Sequence, residues 1–163
     1  MTITHKNLLI RADADTHIGI GHVMRCIALA QAWQHQGGDV TFLSHCHSDR
    51  LRQWIIDEGF ELISIEKPHP DTSDLSFTLN KLSTDSLWLV LDGYYFTPDY
   101  QKAIRENGYK LLVIDDMAHL DHYHADILLN QNIHSSSLPY SCTRDTVKLF
   151  NSQYVLLRRE FLK

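Results

Sequence analysis

Proline, cysteine and glycine are scarce in this sequence: of 163 residues, four are Pro, three are Cys and seven are Gly. So little Pro and Gly, beside 44% hydrophobic and 21% charged residues, excludes collagen-like and low-complexity chains. The cysteines, Cys26, Cys46 and Cys142, are odd in number and show no Cys-x-x-Cys spacing. That argues against a disulfide framework and fits thiols in a reducing compartment. Long apolar runs are also missing. LWLVL is among the longest, far short of the roughly 18 residues that span a bilayer, so no membrane partner is expected. Positive charge is not in excess either; the net charge of −5 offers no footprint for nucleic acid or anionic lipid. The opening MTITHKNLLI lacks the apolar core and cleavage site of a secretory signal, and a cytoplasmic location is expected. The length suits one domain over 1–163, since domains cluster at about 100–200 residues.

What the sequence does have is alternation between strand-like and helix-like segments. Asn7 to Arg11 (NLLIR) reads as a buried strand, followed by the loop ADADTHIGIG and a helical pattern from about His22 to Gln36, with Gly37-Gly38 as the stop. Further strands are expected at Asp39–Leu43, Glu61–Ile65, Leu87–Asp92, Lys110–Asp115 and Asp126–Asn130. Helices are expected at Asp49–Glu58, near Leu75–Leu82, and from Thr97-Pro98 to Asn107-Gly108, the last with Thr as N-cap and Pro at the first helical position. After Asn130 the sequence turns polar and no strong periodicity is expected to return. Strands alternating with helices imply parallel βαβ units and a doubly wound, Rossmann-like α/β sheet.

In such sheets a ligand lies beyond the carboxyl ends of the strands. The residues found there are Asp13 and Asp15, then Asp92, Gly93 and Tyr94, then Asp115 and Asp116, then Asn130 and Asn132. The sharpest motif is IGIGHVMR. Gly19 and Gly21 permit close backbone approach, and His22 falls in the first turn of a helix. The positive end of that helix disfavours an imidazolium, which leaves the ring able to take a proton: the role of a general base. Asp13 or Asp15 is expected to orient the ring, and Arg25, three residues on, to hold an acidic group from the same helical side. The bland alternative is a helix cap and a tight turn. The third glycine of a dinucleotide fingerprint is replaced by Met24, and no acidic residue ends the second strand, so no nicotinamide cofactor is expected.

The segments IRADADTHIGIGHVMRCIALAQAW, LVLDGYY, LLVIDDMAHLDHYHADILLNQN and YVLLRREF resemble, in order, the amino-terminal half of the UDP-sugar hydrolases of pseudaminic acid biosynthesis. These are the UDP-2,4-diacetamido-2,4,6-trideoxy-β-L-altropyranose hydrolases, related to the glycosyltransferase of lipid II synthesis. The resemblance implies a B-type glycosyltransferase fold, with sugar and catalytic histidine in the amino-terminal domain and UDP in a second domain. It implies His22 as base, with water attacking the anomeric carbon, inversion, and UDP as the leaving group. Asp13, Gly19, Gly21, Arg25, Asp92, Tyr94, Asp115 and Asn130 are the expected substrate contacts. The partner is a UDP-linked diacetamido sugar, and neither cofactor nor metal is implied. The closing LFNSQYVLLRREF departs from the family's usual LGPKYALLRPEF. The chain ends at Lys163, about where the family's second domain begins, so a separate or missing UDP-binding domain is expected, with weak or absent turnover by this chain alone.

Other readings weigh less. The clusters His45, Cys46, His47 and His119, His122, His124 match no standard zinc spacing. Paired acids at strand ends suggest a Mg²⁺ or phospho-acceptor site, but that site needs a lysine where Asn130 stands. His17 is a possible ligand contact, Trp33, Trp54 and Trp88 read as core, and Arg158, Arg159 and Glu160 read as a domain contact or a solvated end. A non-catalytic sugar- or partner-binding module and a transferase of the same fold remain the alternatives.

Overall fold

The computed structural model describes residues 7–82 and 86–162. The reading of the amino-terminal segment as lacking a signal therefore lies, for residues 1–6, outside the described residues. The strands are β1 (Asn7–Ala12), β2 (Asp39–Ser44), β3 (Glu61–Ser64), β4 (Trp88–Asp92), β5 (Lys110–Ile114), β6 (Ile127–Asn130) and β7 (Val147–Phe150). They form one sheet in the order β3-β2-β1-β4-β5-β6-β7, with every neighbouring pair parallel. The chain has an α/β, doubly wound, Rossmann-like fold. β7 departs from expectation. It is short and half-exposed, with two exposed residues followed by two intermediate ones, so it carries too little apolar pattern to stand out from the polar segment around it.

The helices are α1 (Gly21–His35), α2 (Asp49–Asp57), α3 (Ser73–Lys81) and α4 (Pro98–Glu106). After Gly21, α1 has neither Gly nor Pro and carries three Ala and two Gln beside Met24, Arg25 and Leu29, all good helix formers. It stops where Gly37 takes φ of 87°, a left-handed conformation that a Cβ opposes. α2 and α4 are capped by side chains: Ser48 Oγ accepts from Leu51 N at 3.2 Å, and Thr97 Oγ1 from Tyr100 N at 3.3 Å.

Alternation along the strands sorts side chains between two cores. Leu8, Ile10 and Ala12 of β1, Val90 of β4, Ile114 of β5 and Leu129 of β6 pack with Val23, Cys26, Ile27 and Ala30 of α1 and with Leu51 and Ile55 of α2. Leu9, Leu89, Leu91, Leu111, Val113 and Leu128 face the other way, against Tyr100 and Ile104 of α4. Strand order reverses direction between β1 and β4, whose carboxyl ends are paired through Ala12 and Asp92. A doubly wound sheet opens its ligand crevice at this point.

Candidate functional site

The period of two continues past the strand ends and decides which acid meets the histidine. Asp92 shares the face of Val90 and so points to α1. His22 and Arg25, three residues apart, lie on the same side of that helix at its amino-terminal end. His22 Nδ1 lies 2.6 Å from Asp92 Oδ1. Arg25 grips the same carboxylate with two bonds, Nε to Oδ2 at 2.6 Å and Nη2 to Oδ1 at 2.6 Å. Asp92 is wholly buried and the His22 side chain is 8% exposed. A buried carboxylate gripped by a guanidinium is an acceptor, so Nδ1 carries the ring's proton. Arg25 Nη2 also lies 3.3 Å from Nδ1, a longer contact than the 2.6 Å bond by which Nη2 donates one of its two hydrogens to Asp92 Oδ1. Nε2 is left with its lone pair and has no hydrogen-bond partner among the described residues.

Arg25 continues the network outward. Its Nη1 donates to Asp116 Oδ2 at 3.2 Å, and Tyr94 Oη donates to Asp116 Oδ1 at 2.7 Å. Tyr94 sets its ring edge-on to His22, with centroids 4.8 Å apart. Burial pulls the Arg25 guanidinium down, but the hydrogen bonds and charge of Asp92, aided by Asp116, outweigh that and hold it above its ordinary value. Burial and the hydrogen bond to Asp116 push the Tyr94 phenol up to about 12, so it remains a donor at neutral pH. His22, Arg25, Tyr94 and Asp116 line a cleft of about 490 Å³ with Gly21, Met24, Gln131 and the carboxy-terminal residues Leu156, Leu157, Arg158 and Phe161. Arg158 rests over the rings of Trp54 and Phe161, at 5.1 and 4.9 Å. The carboxy-terminal segment is held in place where Gln131 Oε1 accepts from Leu156 N at 2.8 Å and Gln31 Oε1 from Arg159 N at 2.9 Å. Trp33, Trp54 and Trp88 are half-buried against the α1-side core.

Of the residues singled out in the sequence, His22, Gly21, Arg25, Asp92 and Tyr94 come together. Three others lie on the opposite face. Asp13 follows Leu9 and Arg11 in alternation and is fully buried. It pairs with Arg11, accepts from His45 N at 2.6 Å and from Tyr95 Oη at 2.5 Å, and does not orient His22; Asp92 does. Asp115 follows Leu111 and Val113, and accepts from Tyr140 Oη at 2.7 Å and from Met117 and Ala118 N at 3.1 and 2.8 Å. Asn130 follows Leu128; it donates to Tyr140 Oη at 2.8 Å and accepts from Asn132 N at 3.0 Å. In each of the last two cases the next residue, Asp116 or Gln131, turns into the cleft. Strand parity carried that signal, and adjacency to the strand end alone missed it. Gly19 takes φ of 77° in a turn where its N donates to Asp15 O at 2.9 Å. Asp15 caps the same turn, accepting from His17 and Ile18 N at 2.7 Å each. Among the described residues no group of three His, Cys, Asp or Glu side chains is arranged to hold a metal ion. No described helix is long and apolar enough to cross a membrane.

No protein-family model matches the chain. It is 30% identical over 163 residues to a UDP-2,4-diacetamido-2,4,6-trideoxy-β-L-altropyranose hydrolase of Campylobacter jejuni, covering 94% of this chain and 53% of that protein. It is 24% identical over 160 residues to an uncharacterised protein of Methanocaldococcus jannaschii, covering 96% of this chain and 32% of that one. The chain thus spans about a third to a half of the curated relatives it matches. Among solved structures it is similar to a glycosyltransferase from Rickettsia africae, with a TM-score of 0.50 and 11% identity over 69% of this chain and 30% of that chain. It is also similar to MurG of Acinetobacter baumannii, with a TM-score of 0.49 and 16% identity over 74% of this chain and 41% of the other. The likeness to the Rickettsia africae enzyme shows the fold.

Proposed function

We propose that this chain is the sugar-side, base-bearing half of an enzyme that hydrolyses a UDP-linked diacetamido sugar. The observation that carries this reading is the His22 ring, fixed at Nδ1 by Asp92 and bare at Nε2 on the wall of the cleft. Nε2 takes a proton from water as the water oxygen bonds to the anomeric carbon. The bond from that carbon to the diphosphate oxygen breaks, UDP departs with the electron pair, and the configuration inverts. Arg25 balances one of the two carboxylates it touches, Asp92 and Asp116, and the proton gained by His22 balances the other. Tyr94, Asp116 and Gln131 supply donors and acceptors for sugar hydroxyl and acetamido groups, in a cleft within the roughly 300–1,000 Å³ usual for small ligands. UDP is held by a further domain, in the same polypeptide or a separate one. The similarity to the Campylobacter jejuni hydrolase supports this substrate class.

Phosphorus NMR of UDP release from the diacetamido-altrose UDP-sugar, with the chain and its His22→Ala variant, tests the reading. Release by the chain alone that depends on His22 supports the base but overturns the half-enzyme form, because the chain would then hold a complete site. Absence of release with a sugar-dependent shift of the His22 ring supports the half-site form. Release unchanged in the variant, or neither release nor shift, contradicts it. The fold shared with a glycosyltransferase favours one second reading, in which an acceptor hydroxyl replaces water; product analysis with and without acceptor separates the two.

A further inference from the structure

The loops that follow β4 and β5 are joined by one imidazole. His119 Nε2 lies 2.6 Å from the carbonyl oxygen of Tyr94, and Nδ1 lies 3.1 Å from Asp115 Oδ1. Both partners accept. A peptide carbonyl has no proton to give, and the other oxygen of Asp115 already receives three donors, from Met117 N, Ala118 N and Tyr140 Oη, as an ionised carboxylate does. A neutral imidazole has one N–H and one lone pair, so it satisfies one of the two partners; a ring protonated on both nitrogens satisfies both. We propose that His119 is a proton-dependent clamp that positions Tyr94 against His22.

Two imidazoles flank Tyr94, His119 at its carbonyl and His22 at its ring. From the loop after β4, His119 meets the Tyr94 carbonyl and the edge of the Tyr94 ring, with centroids 5.6 Å apart. Tyr123, ahead of β6, stands at 6.5 Å. Asp115 shares its loop, Tyr140 reaches it through Asp115, and Arg25 reaches the neighbouring Asp116 at 3.2 Å. Burial pushes the Tyr94 phenol up to about 12 and raises those of Tyr123 and Tyr140 as well, so none of the three titrates where an imidazole does. When His119 loses a proton, the charged Asp115 is the stronger acceptor and retains Nδ1–H. The Nε2 lone pair then faces the Tyr94 carbonyl, and the two repel. Tyr94 withdraws, carrying with it the ring that packs edge-on to His22 and the hydroxyl that donates to Asp116. The clamp itself does not depend on the proposed reaction; only its effect on turnover does.

The test is side-chain and carbonyl NMR of the isotopically labelled chain, titrated from about pH 5 to 8, the range in which an imidazole changes charge. At the acidic end both His119 nitrogens are expected to carry protons, and the Tyr94 carbonyl resonance is expected to move in the same transition in which the ring loses one. In His119→Ala the Tyr94 carbonyl stops responding to pH, whereas in His22→Ala it still responds. A His119 ring with a single proton across the whole range overturns the clamp, as does a ring that titrates while the Tyr94 carbonyl stays still. Should the alanine variant fail to fold, His119→Gln, whose side-chain amide can still donate but has no titratable proton, replaces it with the same expectation. Titration of the unmodified chain alone already separates a clamp from a static hydrogen bond.

Discussion

His22 has two ring nitrogens, and the structure gives them different surroundings. A wholly buried carboxylate holds one, and the cleft faces the other. Removing the ring removes the base, so His22→Ala is expected to lower hydrolysis in the assembled enzyme by about 10²–10⁴-fold, read as initial rates of UDP release. Asp92→Asn keeps the shape but can donate to Nδ1 and so turn the proton to Nε2. A loss approaching about 10⁴-fold is expected, as when a catalytic histidine is held in the wrong tautomer, with little change in substrate affinity by titration calorimetry. Arg25 matters first for stability. Arg25→Met leaves Asp92 buried without its counter-charge, at a cost of about 3–5 kcal/mol, measurable by urea denaturation; a change below about 1 kcal/mol would mean that Asp92 is not held as a buried anion.

At the scale of elements, the strands act as sorting devices. The carboxyl ends of β5 and β6 offer consecutive polar residues, and the pleat sends the first toward α4 and the next toward α1. Asp92, Asp116 and Gln131 share the first side; Asp13, Asp115 and Asn130 share the second. The alternation, the helix boundaries to within a residue or two, and the Gly-led entrance of α1 were legible in the sequence, because they follow from local spacing and backbone freedom. The choice of acid was legible in principle, since Asp13 shares the parity of Arg11 and Asp92 that of Val90. The pairing of Gln131 with Leu156 N was not, because a long-range bond between a side chain and the backbone leaves no local pattern. The element that presents the base is pinned through its buried face. Ile27 is fully buried there, and Ile27→Ala is expected to destabilise by about 2–5 kcal/mol, read as a fall in the denaturation midpoint.

Across the whole molecule, two buried polar networks tie strand ends to opposite layers. The network on the α4 side joins Arg11 to Asp13 and Asp74, and Tyr100 Oη donates to Asp74 Oδ1 at 2.6 Å. Burial raises the Asp74 carboxyl, but the hydrogen bond and charge of Arg11 outweigh it and hold the group below its ordinary 3.8. A depressed carboxyl stabilises the fold fully above 3.8, and that stability is lost as pH falls through the lowered value. Thermal unfolding midpoints are therefore expected to drop with acid below 3.8, and less steeply in Asp74→Asn. The network on the α1 side, in contrast, opens onto the cleft, and the proposed chemistry turns on it. Its most direct test is the protonation pattern of the His22 ring by side-chain nitrogen NMR, with and without the diacetamido-altrose UDP-sugar. A proton on Nδ1, a bare Nε2, and a shift confined to Nε2 when the sugar nucleotide is added are expected. A proton resident on Nε2, or a ring that does not respond to the sugar nucleotide, would contradict the assignment of His22 as the base.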